Sequence, residues 1–269
     1  MRSTLFACTA LLALAACSDS PTGTDDTGIL ASRISSDVAT VSADATAEDV
    51  DVMAGLNGLN GNFTVNLLDG MTPPIGPGNV TGCGFGGGRF SCPPNSANGL
   101  TITRTVAFYD GQNAVQQAYD ALLTAKIEVA ATLQGDVTRG PWTATISRTR
   151  NFVHTGLLGT ETSRTTNGTA TGAASRSRIN EAGNNRSYDM AETATFVDVV
   201  VPVRAEGVAP WPTLGTVTRV ITVTPEGGTP VTRTVIITFN GTATPTATVN
   251  GEAFTLNLGN RTAQRRPNG

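Results

Sequence analysis

Between residues 100 and 258 apolar and polar side chains alternate along the chain, and turn signals interrupt the alternation at short intervals. Leu100, Ile102, Val106 and Phe108 are separated by Thr101, Thr103, Thr105 and Ala107. A period of two puts successive side chains on opposite faces of an extended strand, so this stretch predicts a half-buried β-strand. The pattern returns over 126–133, 142–153, 217–224, 231–239, 246–250 and 252–258, and earlier at Phe63, Val65 and Leu67. Stretches 160–171 and 171–179 read as weaker strands rich in Thr and Gly, and 186–204 as one very long strand or two. Asp110-Gly111, Gly135-Asp136, Asn184-Asn185, Pro225-Glu226-Gly227-Gly228 and Asn250-Gly251 supply the turns, the last being the strongest hairpin signal.

No helix-length crossover separates these strands, so sequential antiparallel pairing is expected. The chain is read as all-β, an up-and-down meander of about ten strands; a sheet that large must curl, close or split. A curved half-barrel, a barrel and a sandwich stay open. Segment 114–123 is also open: Val115, Ala118, Tyr119 and Leu122 fit a helical face, whereas the flanking sequence favours strands. A charged fraction of 14% and abundant Thr, Gly and Val agree with strands and turns. A net charge of −3 argues against nucleic acid as a partner. Lys126 is the only lysine, a bias that base composition of the coding sequence can produce.

The first residues carry a different signal. Arg2 precedes a short apolar run over 5–16, too short to span a bilayer and ending in Leu14-Ala15-Ala16-Cys17. That ending resembles the lipobox of bacterial lipoproteins. The resemblance implies a signal peptide over 1–16, cleavage before Cys17, a diacylglycerol on its thiol and anchoring of the chain to a membrane. Ser18 after the cysteine implies outer-membrane sorting under the enteric rule. Residues 18–47 are rich in Ser, Thr, Asp and Ala and read as a flexible tether, with a single β-rich domain over 48–269 and a turn or two of helix over 48–56. Fully extended, that tether would reach on the order of 100 Å. Few aromatics for interfacial girdles, and an anchor already in place, argue against a transmembrane barrel.

Cys83 and Cys92 are the other cysteines beyond the leader. In an exported chain a disulfide is the default, and the intervening glycines allow the ring to close. A metal site is the alternative, but no histidine is near and no Cys-x-x-Cys motif is present. The glycine run lacks Gly-Lys-Ser/Thr and is no phosphate loop.

The candidate binding residues come from strand parity. Arg104 is in phase with Ile102, Val106 and Phe108, and Arg148 and Arg150 with Trp142, Ile146 and Phe152. Arg219 is in phase with Val217 and Ile221, and Arg233 with Val235 and Ile237. Glu192 shares a face with Tyr188, Met190 and Phe196. One expectation is structural, with arginines pairing to carboxylates such as Glu192 and Asp189 or reaching the rim. The other is a concave, partly basic face suited to an amphiphile with an anionic head. The opposite, Thr-rich face reads as a solvated sheet surface, with a polysaccharide or ice surface as the sharper alternatives.

His154 is the only histidine, and no Gly-x-Ser-x-Gly, His-Glu-x-x-His or calcium-loop motif occurs. Asp110, Glu128, Asp189, Glu192 and Asp198 could supply a carboxylate pair for glycan hydrolysis, although the strand phase of 197–203 turns Asp198 to water. A non-enzymatic protein without cofactor is expected. The lipobox, the Thr/Asp-rich segment, the Thr-Arg-Thr strands (103–105, 218–219, 232–234) and the closing run Thr248-Val249-Asn250-Gly251-Glu252 together resemble uncharacterised lipoproteins of Gram-negative, Gemmatimonadota-type bacteria. That likeness implies a β-rich envelope lipoprotein and brings no activity or site residues. The function expected is a binding or scaffolding domain, followed by a carrier of a lipid-like ligand and then a carboxylate-dependent glycan hydrolase.

Overall fold

The computed structural model describes residues 24–54, 63–64, 74–75, 80, 82–97, 99–158, 162–178, 185–203 and 211–267. Cys17 and the lipobox lie outside them, as do Val65 and Leu67 of the first expected strand. Phe63–Thr64 (β1) pairs with Pro74–Ile75 (β2) in a separate two-stranded sheet.

All other strands form one antiparallel sheet of thirteen. Along the chain they are β3 (Gly84–Gly86), β4 (Arg89–Ala97), β5 (Leu100–Asp110), β6 (Val115–Gln116), β7 (Thr124–Arg139), β8 (Trp142–Thr155) and β9 (Ser163–Arg178). Then follow β10 (Arg186–Pro202), β11 (Leu214–Pro225), β12 (Val231–Thr238), β13 (Thr246–Val249), β14 (Glu252–Asn257) and β15 (Thr262–Arg265). Neighbours in sequence are neighbours in the sheet, with β6 pairing only β5, and the path ends at β3 and β15 without closing. It is the expected up-and-down meander, curved and open. Segment 114–123 contributes only the short β6, not a helix. Stretches 160–171 and 171–179 merge into the single strand β9, and 186–204 is one strand rather than two.

One local irregularity reverses a face. Register shifts on both sides of β10 bracket residues 197–199, and Asp198 has φ of 49° there. The extra residue of this bulge moves inward-facing positions from even to odd numbers. Phe196 is buried, Val197 and Asp198 are exposed, and Val199 and Val201 are buried again. Val197 therefore does not share a face with Val199 and Val201, contrary to the strict alternation. Gly215 of β11 sits opposite, where a Cβ would lie 2.4 Å from the Asp198 carbonyl oxygen.

The largest departure from the sequence reading is at the N-terminal side. Residues read as a flexible tether form, from Thr24 on, a helix of 31 residues ending at Ala54 (α1). Every residue from 41 to 50 is buried, including Ser42, Asp44, Thr46, Glu48 and Asp49. Local propensity does not explain this helix, since Ser, Thr, Val and Asp dominate it. It forms because the concave face of the sheet surrounds it and supplies partners for its carboxylates. At ~1.5 Å per residue its 31 residues span about 46 Å. The 17 residues of β10 span roughly 56 Å at ~3.3 Å each, so helix and sheet are of similar length. Val38, Val41, Val50 and Met53 join Phe152, Phe196, Ile221, Val235 and Phe254 in one apolar core, with Phe152 and Phe196 packed edge to face at 4.8 Å.

Cys83 and Cys92 form a disulfide. It ties the residue just before the edge strand β3 to β4.

Candidate functional site

The interior between α1 and the sheet holds the arginines singled out by parity, and it also holds their partners. Asp44, Glu48 and Asp51 are spaced four and three apart, and Asp37 lies seven before Asp44, so all four fall on one stripe of α1. Asp49 adjoins Glu48. Asp37 receives a bidentate pair from Arg186 (Nε to Oδ2 2.6 Å, Nη2 to Oδ1 2.8 Å) and the Tyr188 hydroxyl at 2.9 Å. Asp44 pairs with Arg261 at 3.1 Å and with Arg139 at 3.4 Å.

Further along, three arginines and three carboxylates close into a ring. Arg148 donates through Nη1 to Glu48 at 2.5 Å and through Nε to Glu192 at 3.1 Å. Glu192 accepts from Arg219 at 3.5 Å. Arg219 donates to Asp49, which also accepts from Arg150 Nε at 2.5 Å. Arg150 Nη2 returns to Glu48 at 3.1 Å. Every member alternates in charge, and none has a side chain more than 8% exposed. Strand register makes this possible: Arg148 of β8, Gly172 of β9, Glu192 of β10 and Ile221 of β11 stand in one row. Gly172 must lack a side chain there. A Cβ would meet the Glu192 carboxylate at 2.7 Å and the Arg148 side chain at 3.1 Å.

The electrostatics agree with mutual pairing. Burial pushes the Asp49 carboxyl up, but the Arg219 and Arg150 guanidiniums beside it outweigh burial and hold it below the usual carboxylate range. Burial likewise lowers Arg148 and Arg150, and the adjacent carboxylates more than reverse this. The void beside Val41, Arg148, Glu192 and Ile221 measures about 10 Å³, too little for a ligand.

The five arginines of the sequence row are therefore not one open basic face. Arg148, Arg150 and Arg219 come together with Glu192 and are covered by α1. Arg104 lies apart on β5, where burial lowers its pKa to about 10. Arg233 lies on β12 opposite Ile221, half-buried, and donates to the Thr232 carbonyl at 3.2 Å. Sequence reasoning missed Glu48, Asp49, Asp44 and Asp37. Their seven-four-one spacing, interleaved with Val38, Val41, Ala45 and Val52, was a readable helical signal inside a composition that otherwise suggests disorder.

The remaining candidates have separate settings. Asp110 accepts from the amides of Gln112 and Ala114 and shapes a turn. Glu128 binds Arg89, Lys126 and the Tyr109 hydroxyl. Asp189 accepts from Ser175 at 2.6 Å on the outer face, and Asp198 accepts from the Asn167 side chain at the bulge. His154 is buried with Nδ1 2.9 Å from the Thr166 hydroxyl; burial, then the nearby Arg164, lower its pKa to about 3. Trp142 stacks on Tyr188, and the guanidiniums of Arg186, Arg176 and Arg178 lie 5.2, 5.5 and 5.8 Å from its ring. Among the described residues no cluster of His, Cys, Asp and Glu has metal-site geometry, and no helix is long and apolar enough to cross a membrane.

Comparison with known proteins finds no matching family model, no matching curated protein and no matching solved structure.

Proposed function

We propose that this chain is a cell-envelope lipoprotein, anchored through lipid on Cys17 and sorted to the outer membrane, whose β domain is a non-enzymatic binding or scaffolding module. The observation that carries the reading is the buried ring. Three of the buried interior arginines, Arg148, Arg150 and Arg219, are committed to Glu48, Asp49 and Glu192 of the same chain. A carrier of an anionic amphiphile would need those arginines free, and with α1 seated the void beside Val41, Arg148, Glu192 and Ile221 measures about 10 Å³. Recognition then falls to the outside of the sheet, and the ring serves to hold the shell rigid. The lipobox residues Leu14, Ala15, Ala16 and Cys17 support the anchor.

Metabolic labelling of a Gram-negative host with an alkyne fatty acid tests the anchoring. The native chain is expected to take label and to fractionate with the outer membrane, and Cys17→Ala to lose both. Equal labelling of the variant, or a native chain free of label, would contradict the reading.

A further inference from the structure

The outer face of the sheet is not uniformly flat. Strands β7 to β11 form a groove of about 880 Å³ there, bounded on the β11 side by the turn Pro225–Gly228. Two rows of side chains cross its floor. Asp136, Thr145, Ser175 and Asp189 stand in register on four successive strands, followed by Thr138, Thr143, Ser177 and Ser187. At ~4.8 Å between strands, Asp136 and Asp189 stand about 14 Å apart. The hydroxyls are already oriented: Thr145 donates to Asp136 at 2.5 Å, Ser175 donates to Asp189 at 2.6 Å, and Thr143 and Ser177 are 2.8 Å apart.

We propose that this groove binds a neutral glycan chain. The proposal deepens the binding-module reading and depends on it only for the envelope as the source of the glycan. Seven Ser and Thr residues and three carboxylates (Asp136, Asp189, Glu226) line the groove. The inward positions between them, Val137, Ala144, Arg176 and Tyr188, are buried and belong by parity to the other face, so the two outward rows and the backbone between them make the floor. The surface thus offers paired acceptors and donors with negative charge, while Arg176, the cation among its lining residues, is buried and turned by parity to the other face. Such a surface rejects phosphates and other anions. It offers little aliphatic area for acyl chains. Carboxylates and hydroxyls match the dense hydroxyls of a sugar polymer, and a volume near 880 Å³ lies within the range of ligand sites. Hydroxyls outnumber carboxylates, and both aspartates already accept from hydroxyls rather than from cations, which favours a polyol over a cationic peptide. No ring stacks in the groove, so single sites bind weakly, and many copies on one membrane would raise the avidity.

The test is an amide NMR titration of the full chain carrying Cys17→Ser, with cellotetraose, chitotetraose and tetralysine as separate probes. Shifts on adding either glycan are expected within 136–145, 175–189 and 224–228. The double variant Asp136→Asn and Asp189→Asn, both exposed positions, is expected to melt like the parent yet bind about 10-fold more weakly or worse, as loss of charge-assisted hydrogen bonds predicts. No shifts with either glycan, shifts elsewhere, or shifts indifferent to the double variant would overturn the proposal. Response to tetralysine alone would also overturn it and assign the groove to a basic peptide. None of these failures bears on lipid labelling at Cys17, so the two readings fall separately.

Discussion

A buried charge is tolerated only when its partners are in place, and the ring around Glu48 and Asp49 meets that condition with six members of alternating sign. Removing one member leaves an uncompensated charge in the core. Arg150→Ala, at a side chain 0% exposed, is expected to lower unfolding free energy by about 3–5 kcal/mol in urea titration. Replacing Arg150 and Asp49 together with Met and Leu is expected to recover much of that loss, because the desolvation cost disappears with the pair. Gly172→Ala is expected to cost about 1–3 kcal/mol by wedging the Arg148–Glu192 contact apart. Acid acts on the same interior. Asp49 has a folded pKa below its unfolded value, so its contribution is complete above about pH 4 and is lost as pH falls through the folded value. His154 is held neutral: the unfolded chain takes up a proton below pH 6.5 and the folded chain only near pH 3. Stability is therefore expected to decrease as pH falls across that window, by at most about 5 kcal/mol at ~1.4 kcal/mol per unit. Urea midpoints from pH 7 to pH 4 should show this slope, and His154→Gln should flatten it. At this scale strand parity correctly placed Arg148, Arg150, Arg219 and Glu192 on one inner face. It could not supply Glu48 and Asp49, which lie about 100 residues away in sequence and outside any strand.

Elements divide by how much of their cause is local. The strands were legible because alternation and turn chemistry act within a few residues, and the hairpin at Asn250-Gly251 forms where its turn predicts it. The bulge at Asp198 was not, since an extra residue changes parity without any mark in the hydrophobic pattern. Helix α1 was masked by its composition, because most of its residues prefer caps and turns, its stability is tertiary, and only the spacing of its carboxylates and valines marks it as helical. A peptide covering 24–54 is accordingly expected to give a largely unordered circular dichroism spectrum in water. Added to a chain lacking those residues, it should gain helix. A strongly helical free peptide would contradict this account of α1. The Cys83–Cys92 bond closes a short loop at the sheet edge, its ends nine positions apart in sequence. Chain entropy predicts that its loss costs about 2–3 kcal/mol. Hydrogen exchange after reduction should report fraying at β3 and β4 before β8 to β10.

For the molecule as a whole, the meander joins neighbours and α1 joins ends. Ser32 of α1 accepts from Arg265, which ends β15, across 233 residues of sequence, so the helix can dock fully only once the last strand exists. This coupling turns an open sheet into a shell with a filled interior and moves the search for ligands to the outside. It also alters the geometry of the proposed anchor. Six residues lie between Cys17 and Thr24, so a lipid on Cys17 would lie within about 25 Å of the start of α1 rather than a long tether away. The seating of α1 by its carboxylates is the central claim, and hydrogen exchange of the full chain tests it most directly. Amides 37–50 are expected to exchange as slowly as those of β8 to β10 and to lose protection in Arg150→Ala. Rapid exchange across 37–50 in the native chain, beside a protected sheet, would contradict it.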